Sequence, residues 1–172
     1  MHQHRALSLL ELLFTIAITT LVLTLGVPTF LGAQKTMQLK GAAELSYFLL
    51  QQARSQAISR RQAIATVFQA GSNWCIALSD AGACDCQVAG NCLVSGVEHK
   101  IAATDFRLVH LDDIRFGADR LAIFDGVRGL AIGNAGSTII SDGDNALKLI
   151  VSNMGRVRLC VARGAVSGYK PC

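Results

Sequence analysis

The strongest constraint on this chain is an apolar run near its start. The nineteen residues from Leu7 to Leu25 carry a single charge, Glu11, and contain neither proline nor glycine. Such a run is long enough to cross most of a bilayer as a helix. A backbone in lipid must satisfy its own polar groups, and an α-helix does so within one segment. A carboxylate inside such a run costs roughly 2.5–3.5 kcal/mol on insertion scales, so Glu11 calls for a partner or a task.

The residues ahead of the run are Met1-His2-Gln3-His4-Arg5-Ala6, a short, polar, weakly basic leader that gives way abruptly to the apolar stretch. No Ala-x-Ala site closes the run, and Gly26-Val27-Pro28 is a poor substitute, so a cleaved secretory signal fits badly. An ordinary signal anchor that tolerates a glutamate near its edge is the plain alternative. The arrangement resembles the leader of type IV prepilins, which a peptidase cuts before the hydrophobic stretch. The resemblance implies cleavage after Ala6, a new and usually methylated terminus at Leu7, and Glu11 as fifth residue of the mature chain. Ala6 stands where the family usually has glycine, and Leu7 where it usually has phenylalanine. The resemblance also implies a role for Glu11: pairing with the α-amine of a neighbouring subunit, which fixes the axial stagger of helices in a bundle.

Composition agrees with export. Six cysteines, at 75, 84, 86, 92, 160 and 172, suit an oxidising compartment. The remaining length is enough for one domain with a real core. Net charge is only +4, but it is unevenly spread. No acid follows Asp144, whereas Lys148, Arg156, Arg158, Arg163 and Lys170 do.

Beyond Pro28, which is expected to kink the helix, Met37, Leu45, Phe48, Leu49, Ala53 and Ile58 recur at mostly helical spacing. The helix is expected to end near Arg61. A coiled-coil seam is the alternative use of this stripe, although its heptads are not sustained. The period then changes to two. Strands are expected at 63–69 and 74–78 around a Gly71-Ser72-Asn73 turn, then near 101–109, 114–116, 121–124, 137–140, 147–152 and 156–162. The fold class is α+β: a long N-terminal helix, its first half transmembrane, packed on an antiparallel β-rich head in a type IV pilin-like architecture. The expected division is 1–6 as cleaved leader, 7–30 as membrane and filament-core helix, and 31–172 as periplasmic head.

Near the C-terminus, Asn153-Met154-Gly155 fits a three-residue hairpin connection with glycine in a left-handed conformation. Past that turn, alternation puts Val157, Leu159 and Val161 inward, and Arg156 and Arg158 outward. Two guanidinium groups at this spacing suit successive phosphates. Two ordinary solvated arginines are the plain reading. Leader, β-rich head and late Gly-Arg-Val-Arg segment together resemble the FimT/FimU–GspH group of minor pilins and pseudopilins. In FimT-type members such a segment is implicated in DNA binding during natural transformation. Carried onto this chain, the DNA-binding residues are Gly155, Arg156 and Arg158, with Arg163 and Lys170 widening the patch. Three or four phosphate contacts imply a log–log salt slope of roughly −3. No aromatic row lies beside the arginines, so base stacking is not indicated. The rival implication is a structural FimU- or GspH-like subunit that primes a pilus or secretion pseudopilus and binds no nucleic acid.

Cys160 and Cys172 bracket a short basic tail, and a disulfide between them would fold it over the arginine-bearing face. Cys75, Cys84, Cys86 and Cys92 suffice for two more bridges of open connectivity. A zinc site from Cys84, Cys86, Cys92 and His99 is the alternative, although Cys-x-Cys is tight for structural zinc. Asp112 and Asp113 are strand neighbours that point apart, and the 142–145 stretch lacks the glutamate of a calcium loop. Neither an enzyme, a metal nor a cofactor is indicated. The partners expected are other major and minor pilins, the prepilin peptidase, the inner membrane and the DNA backbone. The protein is expected in the inner membrane before assembly and in a surface filament or pseudopilus afterwards.

Overall fold

The structure, a computed structural model, describes residues 8–71, 73–117 and 119–172. The chain divides into two compact units, Met1–Gln34 and Lys35–Cys172. Helix α1 (Leu9–Arg60) contributes to both. Ala6 and Leu7, where cleavage is expected, lie outside the described residues.

In the first unit, Ser8 caps the helix: its hydroxyl accepts the Glu11 amide at 3.3 Å, and its carbonyl accepts the amides of Glu11 and Leu12. Ser8 and Glu11 stand in the spacing of a capping box, and an acid in the first turn complements the helix dipole. Beyond the cap the side chains are exposed, including Leu9, Phe14, Ile18 and Leu21. An 18-residue window has a mean hydropathy of 2.1, apolar enough for a membrane span. Four threonines interrupt the run, and each donates its hydroxyl back to a carbonyl one turn earlier: Thr15 to Leu12, Thr19 to Thr15 and Ile16, Thr20 to Ile16 and Ala17, and Thr24 to Leu21. This internal pairing lets hydroxyls reside in an apolar helix.

In the second unit, the part of α1 from Lys35 onward packs on two four-stranded antiparallel sheets. The first has order β3-β2-β1-β5 and the second β4-β6-β7-β8. The strands are β1 (Ile64–Gln69), β2 (Cys75–Ser79), β3 (Lys100–Ala102), β4 (His110–Phe116), β5 (Leu121–Phe124), β6 (Gly136–Ser141), β7 (Ala146–Val151) and β8 (Val157–Arg163). β1 and β2 pair antiparallel from Ala65↔Ser79 to Gln69↔Cys75. One expected strand divides. The chain pairs over β3, leaves the sheet after Ala102, and resumes only at His110, in the other sheet. Asp105 causes the break, its carboxylate accepting the Ala102 amide at 3.0 Å while its own amide binds the Ala102 carbonyl.

The buried face of the helix takes Leu49 and Ala53 from the expected stripe but leaves its other members outside. Leu39, Ala42, Ala43, Ser46, Leu49, Leu50, Ala53 and Ala57 are buried, whereas Met37, Leu45, Phe48 and Ile58 are exposed. Alanines at this spacing let the helix backbone approach the sheets closely. Leu and Ile side chains of the sheets, such as Ile64, Ile76, Leu78, Leu147 and Leu149, fill the space. Each such side chain contributes about 1.5–3 kcal/mol when fully buried. Phe68 of β1 stacks on Phe116 of β4, with ring centroids 4.4 Å apart. Trp74 is buried and donates its indole N–H to the Val109 carbonyl at 2.7 Å.

The loop between β2 and β3 has little regular structure, and bridges Cys75–Cys86 and Cys84–Cys92 hold it. Cys84, Cys86 and Cys92 are therefore unavailable as zinc ligands. A third bridge joins Cys160 to Cys172. Helix α1 ends with Arg61 at φ 54°, its amide bonded to the Ile58 carbonyl and that of Gln62 to Ala57. This is a Schellman-type stop without the usual glycine.

Candidate nucleic-acid interface

Strands β7 and β8 pair from Ala146↔Arg163 to Val151↔Val157, and the connection carries the expected arginine segment. Gly155 closes the turn at φ +70°, donating its amide to the Ser152 carbonyl at 2.8 Å. The Arg156 amide bonds the Ser152 hydroxyl at 3.1 Å, and the Ser152 amide returns to the Arg156 carbonyl at 3.0 Å. Only glycine fits at position 155, since a methyl there would overlap the carbonyl oxygen of Gly129.

That overlap reveals how the hairpin is braced. The 125–131 loop lies against it, with the Ala131 amide donating to the Asn153 carbonyl at 2.9 Å. From the helix, Arg54 donates its Nε–H to the Gly129 carbonyl at 3.1 Å. A methyl at Gly129 would meet Arg54 and Ile58, and one at Gly126 would meet the backbone of Arg61 and Gln62. Asp125 pins the loop from within. One carboxylate oxygen accepts the amides of Val127 and Arg128 at 2.8 and 2.7 Å, and the other that of Leu130 at 2.6 Å. These amide bonds, led by that of Arg128, hold the Asp125 carboxyl below its ordinary range.

Past the turn, Val157 is buried and Leu159 half-buried, while Arg156 and Arg158 are exposed. Arg158 sits opposite Ile150, which sits opposite Ser137, which sits opposite Arg115, so one row on the outward face of the sheet ends in an arginine on each side. Arg115 is paired with Asp113 at 2.6 Å. Among the described residues no carboxylate lies within ion-pairing distance of Arg156 or Arg158.

The two outer cations of the expected patch are placed differently. Arg163 lies at the far end of β8, roughly 23 Å from Arg156 at about 3.3 Å per residue. Its guanidinium there donates to the Ser141 hydroxyl at 3.1 Å and the Gly143 carbonyl at 3.0 Å, tying the β6–β7 turn. Lys170 is exposed on the tail, its carbonyl accepting the Val161 amide at 2.8 Å. The tail therefore runs along β8 beside Val161, through the Val161↔Pro171 bridge, and does not cross Arg156 or Arg158. It is also anchored to α1, Lys40 donating to the Ser167 hydroxyl at 2.9 Å and Tyr169 to Glu44 at 2.6 Å.

The class of protein follows from the family to which this helix-and-sheet head is matched. A family model described as Type II transport protein GspH matches residues 42–155, more than half of the chain, and the chain belongs to that family. The match ends at Gly155, so Arg156 and Arg158 lie just beyond it. No curated protein is similar enough to count as a relative. Among solved structures, the type IV minor pilin FimU of Pseudomonas aeruginosa (strain PAO1) is similar in two crystal forms. In space group P21 it has 24% identity and a TM-score of 0.46, over 70% of this chain and 87% of that one. In P65 the identity is 20% and the TM-score 0.46, over 70% of this chain and 90% of that one.

Proposed function

We propose that this chain is a minor pilin of FimT type that binds DNA without sequence preference, for uptake during natural transformation. The observation that carries this reading is the pair Arg156 and Arg158, exposed, without a carboxylate partner among the described residues, and carried at and just past a turn that the 125–131 loop and Arg54 of the helix brace. Arg156 and Arg158 make the phosphate contacts, and Gly155 sets their position. Lys170 and Arg163 add positive potential along β8. The mature chain starts at Leu7 after peptidase cleavage, is methylated there, and sits in the inner membrane with its head in the periplasm until it joins a filament. Glu11 pairs with the amine of a neighbouring pilin.

The test is DNA binding by the full-length protein in detergent, with a labelled duplex of arbitrary sequence, across about 50 to 200 mM salt. Arg156→Gln with Arg158→Gln should lower the log–log slope by about two and weaken binding at every salt concentration. Equal binding by wild type and double variant removes the DNA role. A second reading, a structural subunit that primes a pilus or secretion pseudopilus, is favoured by one observation: the family model that matches is described as a type II transport protein. It predicts unchanged filament assembly and no DNA retention.

A further inference from the structure

Resting on the DNA-binding reading above, we propose that Arg128 is a third phosphate-contacting cation, so that the nucleic acid crosses from β8 onto the 125–131 loop. The backbone contact between Gly129 and Gly155 makes Arg128 and Arg156 the flanking residues of one seam. The hydrogen bond from Ala131 to Asn153 closes that seam on its other side. Arg128 is exposed, and among the described residues it has no carboxylate within ion-pairing distance.

Stretches 125–131 and 152–156 together hold one acid, Asp125. Both of its oxygens are turned into its own loop, on the amides of Val127, Arg128 and Leu130. Its charge therefore fixes the backbone of Arg128 and does not cover the guanidinium. Arg54 adds a further positive group beneath the seam, through its bond to the Gly129 carbonyl. Cations on two loops, held at a fixed separation by backbone contact, suit a polyanion that passes over both. A strand of arginines alone would grip only along its own direction.

The experiment uses the same full-length protein, duplex and salt series. Arg128→Gln should reduce the slope by about one and weaken binding roughly three-fold at low salt, and Arg128→Glu should weaken it further. Arg107→Gln makes the same charge change at an exposed site elsewhere, next to Leu108, whose amide bonds Gln38 of the helix. It should leave the slope unaltered. Thermal melting of Arg128→Gln should match wild type, because the pinning amide is backbone. A wild-type slope in Arg128→Gln, with the Arg156/Arg158 double variant still impaired, overturns the third contact and leaves the hairpin standing. Equal losses for Arg107→Gln and Arg128→Gln also overturn it, as an effect of net charge. Absence of binding by the wild type sinks the hairpin reading, and this one with it.

Discussion

Gly155 is the residue on which the site's geometry turns. Its φ of +70° is a region that a side chain enters at a cost of about 1–2 kcal/mol, and the Gly129 carbonyl occupies the space a methyl would need. Gly155→Ala should therefore destabilise the head by at least about 2 kcal/mol, read by chemical denaturation. A smaller loss would mean the seam with Gly129 is loose. Tyr169 offers a pH test. Burial first, and its bond to Glu44 second, push its hydroxyl up to about 12 from 10.0. A raised pKa favours the protonated, folded form, so the stabilisation is complete below pH 10 and is lost as pH rises through about 12. The melting difference between wild type and Tyr169→Phe should hold steady below that window and shrink across it. A difference constant to the alkaline limit would show that the hydroxyl is not coupled to Glu44.

At the scale of elements, strands were legible wherever one face is buried, because alternation marks the buried side. β7 shows this, with Leu147, Leu149 and Val151 buried and Lys148 and Ile150 between them half-buried. The 101–109 stretch misled because only Ile101 and Ala102 pair in a sheet, the apolar residues up to Val109 lie in the crossing to β4, and the Asp105 turn has no glycine to signal it. The helix misled more instructively. Leu49 and Ala53 of the expected stripe are buried, but Met37, Leu45, Phe48 and Ile58 are exposed, and Ala42, Ala43 and Ala57 complete the buried face instead. Hydrophobicity alone does not reveal that close approach selects small side chains. The hairpin turn could be read because glycine sits where a left-handed residue is needed. Its brace could not, since Arg54, Gly129 and Gly155 are far apart in the chain. The tail beside β8 is tested by Cys160→Ser with Cys172→Ser. Opening a loop of this length should cost about 2–3 kcal/mol and expose the tail to limited proteolysis. Resistance equal to wild type would assign the tail's order to Tyr169 and Lys40 instead.

For the whole molecule the decisive residue is Glu11, which carries two candidate tasks. As the third residue after Ser8 it belongs to a helix cap, and as the one acid of the apolar run it is the proposed partner of a neighbouring amine. Glu11→Gln separates them, because glutamine suits the cap equally well but has no charge. Filament incorporation, scored by subunit content of sheared filaments, should be lost in Glu11→Gln as fully as in Glu11→Ala. Incorporation retained by glutamine would reduce Glu11 to a capping residue and take away the proposed register device. Much of this level was readable early, since an acid in an apolar run is conspicuous in any sequence. The outward cations were half readable: Arg156 and Arg158 by strand alternation, but not the diversion of Arg163 to the β6–β7 turn.

The loop between β2 and β3 is fastened by sulfur. Its small interior consists of Cys75, Ala77, Cys86 and Cys92 with Cys84 and Ala102 beside them, so sulfur stands where other loops have aliphatic side chains. Reduced thiols would leave that stretch without a fastening of its own, open to proteases. Closing the two bridges removes electrons from four thiols, so a reducing surrounding leaves this corner, like the Cys160–Cys172 tail, unfastened.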